Sequence, residues 1–215
     1  MSLTITKISV QKKSKHRCSI FLDEEFGFGL HQDVVLKFGL KKGDVLSEDQ
    51  IKEIILYEQK NKAKERALNL LSYRDRSENE LRTRLENAGF DHATIDSVTE
   101  DLKRLQLIDD QRFALSFARS KILSRPSGEF LLERELKQKG IDPDLRIQTL
   151  EKIFREFDQY KLAAGLAKRK KAQLKSVDEG KAKKRVNDLL MRRGFGWGII
   201  SQIFDHWENL EQEDD

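Results

Sequence analysis

The residues of this sequence that are best suited to bind a partner are lysines and arginines between positions 161 and 193. This stretch of 33 residues contains twelve basic and three acidic residues, whereas residues 61–160 contain nineteen of each. Ammonium and guanidinium groups concentrated in this way favour a partner rich in phosphates or carboxylates. The residues predicted to contact such a partner are Lys168, Arg169, Lys170, Lys171, Lys175, Lys181, Lys183, Lys184, Arg185, Arg192 and Arg193.

Four of these basic residues, Lys168 to Lys171, are consecutive and cannot all lie on one face of a helix. At 3.6 residues per turn they spread over about 300°. The apolar face that Leu162 and Leu166 define would, if continued, pass through these charges. We expect the second half of this helix to protrude from its bundle, or to bury only aliphatic stems while the charged ends stay in water. An ordinary solvated face is the alternative interpretation.

Residue types that catalyse reactions or bind metals form no known motif in this sequence. It has no phosphate-binding loop, no Gly-x-Gly-x-x-Gly and no nucleophile elbow, and its four histidines are scattered. Cys18, the single cysteine, lies among alternating strand-like residues, which favours a packed thiol over a reactive one. We therefore predict a protein that is not an enzyme and that needs neither a cofactor nor a metal.

Composition and hydropathy are typical of a cytoplasmic protein. No apolar run approaches the roughly 20 residues needed to cross a membrane, and the first residues contain no hydrophobic signal core. A single cysteine cannot form an internal disulfide, as expected for a reducing compartment. We expect a cytoplasmic monomer that does not contact a membrane.

A helix that ends in glycine occurs three times in the sequence, and the basic residues lie in and just before its third copy. Gly89, Gly140 and Gly194 are spaced by 51 and 54 residues, and a hydrophobic residue follows each of them at once. Leucine or valine stands four and eight residues before each glycine, on one helix face. A glycine just past the last turn suits a C-cap in which the chain adopts a left-handed conformation.

Apolar helices flank each of these glycine-terminated helices, so the repeated unit has three helices. The predicted fold is mainly α, with three tandem three-helix repeats that form an elongated curved rod. We place the repeats at residues 59–108, 109–157 and 158–210, before an acidic tail at residues 211–215.

Side chains at the helix ends and in the last repeat give further predictions. Serines are expected to cap the three middle helices: Ser77 with Glu80, Ser127, and Ser176 with Glu179. Trp197 and Trp207 are both predicted to belong to the core of the last repeat rather than to stack on bases.

Residues 1–58 are predicted to form a separate module that contains a β-hairpin. Hydrophobic residues alternate on both sides of the polar segment 23–25, which is typical of a hairpin turn, and the segment before the hairpin can add a third strand. A short helix closed by Gly39 follows. Ser47 and Gln50 then suit a capping box at the start of a long helix, or of two abutting helices, leading into the repeats.

The segments RDRSENELRTRL at 74–85 and LQLIDDQRFA at 105–114, with the order of the three-helix units, resemble the RecX family. Members of this family regulate the bacterial RecA recombinase, and the resemblance covers about residues 60–207. It implies an elongated, non-catalytic protein that lies in the groove of the RecA–DNA filament. Such a protein inhibits strand exchange, ATP turnover or filament growth. The basic segment adds DNA, bound without sequence preference, as a second expected partner.

Two other functions are compatible with the sequence. Three short helices with a tight turn between the last two also suit a helix-turn-helix protein that binds DNA without RecA. Acidic residues on the candidate recognition helix at 93–105 make sequence-specific readout by such a protein poor. An array of helices can also be a scaffold for other proteins. DNA-binding assays with and without RecA distinguish the helix-turn-helix protein from a RecA regulator, and a pull-down in which RecA is not enriched would favour the scaffold.

Overall fold

The computed structural model describes residues 2–12 and 14–210, which form a four-stranded antiparallel sheet followed by helical repeats. The predicted acidic tail at residues 211–215 lies outside the described residues. The strands are β1 (Ser2–Gln11), β2 (Ser14–Leu22), β3 (Glu25–His31) and β4 (Val45–Ser47), and helix α1 (Gln32–Lys37) lies between the last two. In the sheet the strand order is β3-β2-β1-β4.

The N-terminal module confirms the predicted hairpin, third strand and short helix. Asp23 and Glu24 connect β2 to β3 with φ angles of 47° and 72°, the left-handed conformation that a tight two-residue hairpin turn requires. Gly39, with a φ angle of 60°, follows the end of α1. The short strand β4, which pairs with the start of β1, was not predicted because three residues show no alternation.

One continuous helix, α2 (Glu48–Tyr73), leads from this module into the first repeat. It begins at the predicted capping box, in which the amide of Gln50 donates to Ser47 Oγ and the amide of Ser47 donates to Gln50 Oε1. Its buried residues change along its length, from Ile54 against the sheet to Ala63 and Ala67 further on. The second half of α2 is therefore the first helix of the first repeat.

A buried carboxylate attaches α2 to the sheet. Glu58 is 3% exposed, and its Oε2 accepts a hydrogen bond of 2.8 Å from the amide of His31. Its Oε1 lies 2.8 Å from Arg17 Nη2 and 3.4 Å from Lys62 Nζ. A buried charge is tolerated only where such partners replace water, so Glu58 links β2 and β3 to the helix.

Replacing Glu58 with alanine is expected to destabilise the N-terminal module by about 2–3 kcal/mol. This is below the cost of opening a fully buried ion pair, because Arg17 remains partly exposed. Glu58→Gln, which keeps an acceptor for the amide of His31, should lose less. Hydrogen exchange of that amide measures the effect, and exchange rates in both variants equal to that of the unmodified chain would show that neither the charge nor the acceptor contributes.

The three predicted repeats are present as eight further helices after α2. Helices α3 (Glu78–Glu86) and α4 (His92–Arg104) complete the first repeat. The second consists of α5 (Asp110–Ser124), α6 (Glu129–Gln138) and α7 (Pro143–Glu156). The third consists of α8 (Gln159–Ala172), α9 (Glu179–Arg192) and α10 (Trp197–Asp205), and a short 3₁₀ turn follows it.

The chain divides into two compact units, and the boundary falls inside α3. One unit contains Leu81–Leu107 with the chain before Asp75, and the other contains Asp75–Glu80 with the chain from Ile108 onwards. The second unit therefore includes the first turn of α3 together with the second and third repeats.

The middle helices bury the face that the repeat pattern predicts. Six of their side chains are 0% exposed: Leu81, Leu85, Leu132, Leu136, Val186 and Leu190. Trp207 is 4% exposed and lies in the core of the third repeat, as predicted. The prediction for Trp197 is wrong, because this side chain is 70% exposed at the first position of α10.

All three repeat glycines adopt the predicted left-handed conformation. The φ angles of Gly89, Gly140 and Gly194 are 88°, 74° and 78°. After each glycine, the next amide donates to a carbonyl five residues back, as when Ile141 donates to Leu136 at 3.1 Å. This is the hydrogen bond of a Schellman C-cap.

The serine caps are only partly as predicted. The amide of Glu80 donates to Ser77 Oγ at 3.2 Å. The prediction for the second repeat is wrong, because Gly128 is the N-cap of α6 and Ser127 Oγ donates to the carbonyl of Arg125 instead. In the third repeat, Asp178 caps α9 in place of the predicted serine.

The last two repeat glycines also pack against the preceding repeat. Ser77 Oγ donates to the carbonyl of Lys139 at 2.6 Å, and the amide of Gly128 donates to the carbonyl of Arg193 at 2.9 Å. The carbonyls at the end of one middle helix thus find donors at the start of the middle helix before it, which satisfies groups that a helix end leaves unpaired.

These junctions leave no room for a side chain at the glycine. A Cβ on Gly140 would lie 2.3 Å from Asn79 Cβ, and one on Gly194 would lie 2.2 Å from the amide nitrogen of Leu131. Around Gly89, the described residues place no atom within 4 Å of such a Cβ. Gly89 is therefore needed only for its left-handed backbone conformation. Gly140 and Gly194 are needed for that conformation and also for the close approach of the neighbouring repeat.

Candidate partner-binding surface

The basic residues predicted as a binding site all belong to the third repeat. They lie on the second half of α8, on the connection to α9, and along α9 to its C-cap at Arg193. Six are exposed: Arg169, Lys175, Lys181, Lys184, Arg185 and Arg192. The other five are partly buried: Lys168, Lys170, Lys171, Lys183 and Arg193.

Two of the partly buried lysines bind to their own repeat. Lys171 Nζ donates to the carbonyl of Trp207 at 2.7 Å and lies 4.9 Å from the centre of its ring. Lys183 Nζ lies 5.7 Å from the same ring and 2.6 Å from Glu179 Oε1. The end of α8 thus neither protrudes nor keeps every charge in water, since Lys171 turns inward. These two lysines stabilise the third repeat.

A second group of basic side chains is exposed and has no acidic partner. Lys175, Lys181, Lys184 and Arg185 form no ion pair with any carboxylate among the described residues, and we call these four the exposed basic surface. Positions 181, 184 and 185 share one face of α9. The opposite face is buried through Ala182, Val186 and Leu190. The helix therefore packs on one side and presents cations on the other.

A second cationic feature lies where the second and third repeats meet. A cleft of about 550 Å³ is bounded by the end of α5, by α6 and by the end of α9. Its cationic lining side chains are Lys121, Arg125, Arg134, Arg192 and Arg193, and we call it the arginine cleft. Glu135 is the one carboxylate among its described lining residues, and Lys121 Nζ lies 2.8 Å from it.

Arg193 is the most enclosed guanidinium of this cleft. Its Nη1 is buried and has no hydrogen-bond partner in the described part of the chain. Burial lowers the pKa of Arg193, and the positive charges of Arg125, Arg169 and Arg192 lower it further. The fold therefore holds several guanidinium groups close together, which is unfavourable unless an anion joins them.

Three cationic residues of the cleft, Lys121, Arg125 and Arg134, were missed by the sequence prediction. They lie in residues 61–160, where basic and acidic residues are equal in number, so no local charge imbalance marks them. Only the packing of the second repeat against the third places them beside Arg192 and Arg193.

Other kinds of site are not found in the described residues. Residues 2–12 and 14–210 contain no group of three or more histidine, cysteine, aspartate or glutamate side chains that could hold a metal ion. Within the same ranges, none of the helices combines the length and apolar character needed to span a bilayer. Cys18 is buried, as predicted.

A small β-sheet module followed by three tandem three-helix repeats, the last of them basic, defines a class of helical repeat protein. Four protein-family models match consecutive parts of this chain. The model of the regulatory protein RecX N-terminal domain matches residues 3–47. The models of the first, second and third three-helix domains of RecX match residues 63–102, 109–150 and 157–204. The chain belongs to the RecX family, a family of regulatory proteins.

Curated relatives match along nearly the whole chain. The regulatory protein RecX of Bacillus subtilis (strain 168) is 35% identical over 210 residues, which cover 98% of this chain and 79% of the relative. The regulatory protein RecX of Clostridioides difficile (strain 630) is 30% identical over 213 residues, which cover 98% of each chain. The family resemblance seen in the sequence is therefore confirmed.

Solved structures match the fold. A crystal structure of regulatory protein RecX, 30% identical, aligns with a TM-score of 0.74 and covers 94% of this chain and 99% of that one. The crystal structure of RecX from Lactobacillus salivarius, 23% identical, aligns with a TM-score of 0.65 over 71% of this chain and 98% of that one. The second likeness concerns the fold alone.

Proposed function

We propose that this protein regulates the RecA recombinase by binding the RecA–DNA filament through the third repeat and inhibiting recombinase activity or filament extension. The observation that best supports this proposal is the exposed basic surface, whose four cations have no acidic partner among the described residues of a RecX-family chain. A helical polymer of protein and DNA presents phosphates and carboxylates at regular intervals, and such a surface can bind either. The site of action is the cytoplasm, and no catalytic step is involved.

The proposed mechanism is bridging of neighbouring RecA protomers within the filament groove. A helix of 14 residues, such as α9, is about 21 Å long. The three tandem repeats contain several helices of similar length. A chain bound to adjacent protomers stabilises their relative positions. It thereby opposes the movements that accompany ATP turnover and the addition of the next protomer.

Binding to three separate partners tests this proposal. A fluorescently labelled chain is titrated with RecA filaments on single-stranded DNA, with RecA alone and with the DNA alone, at several salt concentrations. We expect the affinity for the filament to exceed both others by at least about tenfold, because it combines contacts that either partner offers separately. We also expect the bound chain to lower the rate of ATP hydrolysis by RecA.

Two outcomes would contradict the proposal. Equal affinity for the DNA with and without RecA would favour the helix-turn-helix alternative, in which phosphate contacts alone account for binding. An inhibitory role would be excluded if RecA filaments hydrolyse ATP and exchange strands at the same rates with and without a saturating concentration of this protein.

A further inference from the structure

The first junction between repeats joins Ser77 to Lys139, and the second joins Gly128 to Arg193. The basic side chain at each junction has a different environment. Lys139 and Arg193 each precede the repeat glycine, and the carbonyl of each accepts a hydrogen bond from the N-cap residue of the preceding middle helix. At the first junction, Lys139 Nζ lies 2.6 Å from Glu80 Oε1. Counted from the repeat glycine, the position of Glu80 in the second repeat is Leu131. Leu131 and Arg193 both line the arginine cleft, so the second junction has a leucine at the position where the first has a carboxylate.

The missing carboxylate makes the second junction a cationic cavity rather than an internal ion pair. Arg125, Arg134 and Arg192 add three more guanidinium groups to the arginine cleft, and its lining glutamate is already paired with Lys121. The buried Nη1 of Arg193 lacks an acceptor in the described residues. Guanidinium groups bind phosphate or carboxylate oxygens in a forked geometry, so the cleft is complementary to an external oxyanion.

One exposed aromatic side chain lines this cleft, and a second belongs to the residue after a glycine that packs against the first. Phe130, one of its lining residues, is 67% exposed, and Trp197 is 70% exposed. A Cβ on Gly196 would lie 3.4 Å from Phe130 Cε2, so the chain that leads into Trp197 passes beside the phenyl ring. Aromatic rings next to a cationic groove are the arrangement in which proteins stack bases while they bind the backbone of a single strand.

We propose that the arginine cleft binds the phosphodiester backbone of a single-stranded nucleic acid, with bases stacked on Phe130 and Trp197. The cations of the cleft meet backbone phosphates, and Arg193 is the innermost of them. Duplex DNA is a poorer ligand because its bases are already stacked and paired. This site is separate from the exposed basic surface, so a chain can bind the filament with the cleft empty, and the two proposals can fail independently.

The first test uses the two exposed arginines of the cleft. The full chain and the Arg134→Gln/Arg192→Gln variant are titrated against a labelled oligothymidylate of about 15 nucleotides, without RecA. We expect the slope of log K against log salt to become shallower by about 1.4, since each lost phosphate contact on a single strand removes about 0.7. Lys137→Gln/Lys152→Gln removes the same charge from exposed positions outside the cleft, and it should leave the slope unchanged. Equal slopes in both variants would overturn the proposal.

The second test places a carboxylate where the first junction has one. Leu131→Glu should pair with Arg193 as Glu80 pairs with Lys139, and it should weaken binding of the oligothymidylate by about tenfold. Leu131→Gln has the same size without the charge and should retain affinity. Thermal unfolding of both variants shows whether they fold alike. If both bind like the unmodified chain, the cleft does not hold the strand.

The aromatic residues separate nucleic acid from an acidic protein segment as the ligand. Phe130→Ala and Trp197→Ala should each weaken binding of the single strand by roughly 5- to 150-fold while leaving the salt slope and the affinity for a duplex of equal length unchanged. Polyglutamate of matched length should compete poorly. Equal losses for single strand and duplex would overturn the proposal, and so would polyglutamate that displaces the strand at equal charge concentration.

Discussion

Replacing Lys175, Lys181 and Lys184 with glutamine is expected to weaken binding to duplex DNA on the order of 100-fold at 0.1 M salt. Each ammonium group that contacts a phosphate releases a bound counterion, so three lost contacts make the slope of log K against log salt shallower by about 2.7. The side chains are exposed and form no ion pair with a described carboxylate, so the variant should unfold at nearly the same temperature as the unmodified chain.

A control variant with the same change in net charge makes this prediction specific. Lys41→Gln/Lys42→Gln/Lys152→Gln also removes three exposed lysines, from outside the third repeat. It should retain its affinity for the duplex and for the RecA filament, apart from a small effect of net charge. If both variants lose affinity equally, binding depends on the overall charge of the molecule, and the exposed basic surface is not a site.

Replacing Gly194 with alanine is expected to lower the free energy of unfolding of its unit much more than the same change at Gly89. Both residues have a left-handed backbone, which costs an alanine about 1–2 kcal/mol. At Gly194 the added Cβ would also collide with the backbone of Leu131, which adds about 1–3 kcal/mol. Gly140→Ala, which meets a side-chain atom of Asn79, should also exceed Gly89→Ala.

Hydrogen exchange locates this effect at the junction. The amides of Gly128 and Phe130 donate to the carbonyls of Arg193 and Gly194, so they exchange only when the junction opens. Their exchange should accelerate strongly in Gly194→Ala and remain unchanged in Gly89→Ala. If the two variants lose equal stability, the glycines are required for backbone conformation alone and do not join the repeats.

The repeat and its glycine caps could be predicted because the same local physics recurs three times. The left-handed C-cap depends on residues within one turn of the glycine, so the sequence around Gly89 contains the information that determines its conformation. The collision at Gly140 and Gly194 depends on the neighbouring repeat and has no local signal. For the same reason Gly128, required where Gly194 approaches, replaces the serine expected at the N-cap of α6.

The basic residues that are close together in the sequence could be predicted as a candidate site. The basic residues that only the packing of two repeats brings together were missed. Lys181, Lys184 and Arg185 follow from the imbalance in residues 161–193 together with helical spacing. Lys171 belongs to the same run, yet it donates to the carbonyl of Trp207, a contact across 36 residues. Arg134, from a charge-balanced segment, lies in the arginine cleft.

Trp197 shows a further limit of periodicity. Apolar residues follow it through α10 at Ile199, Ile200 and Ile203, and Trp197 was predicted to share their core. It occupies the first helical position, where the helix emerges from a loop, and its side chain points into solvent. Periodicity predicts a face within a helix and is least informative at its first residue.

The measurement that tests the account most directly is hydrogen exchange of the chain bound to RecA filaments on single-stranded DNA, compared with the free chain. We predict slower exchange upon binding in residues 173–193, which contain the exposed basic surface, and loss of that protection in the Lys175→Gln/Lys181→Gln/Lys184→Gln variant. Protection confined to the N-terminal sheet and the first repeat, with residues 173–193 exchanging as in the free chain, would contradict it.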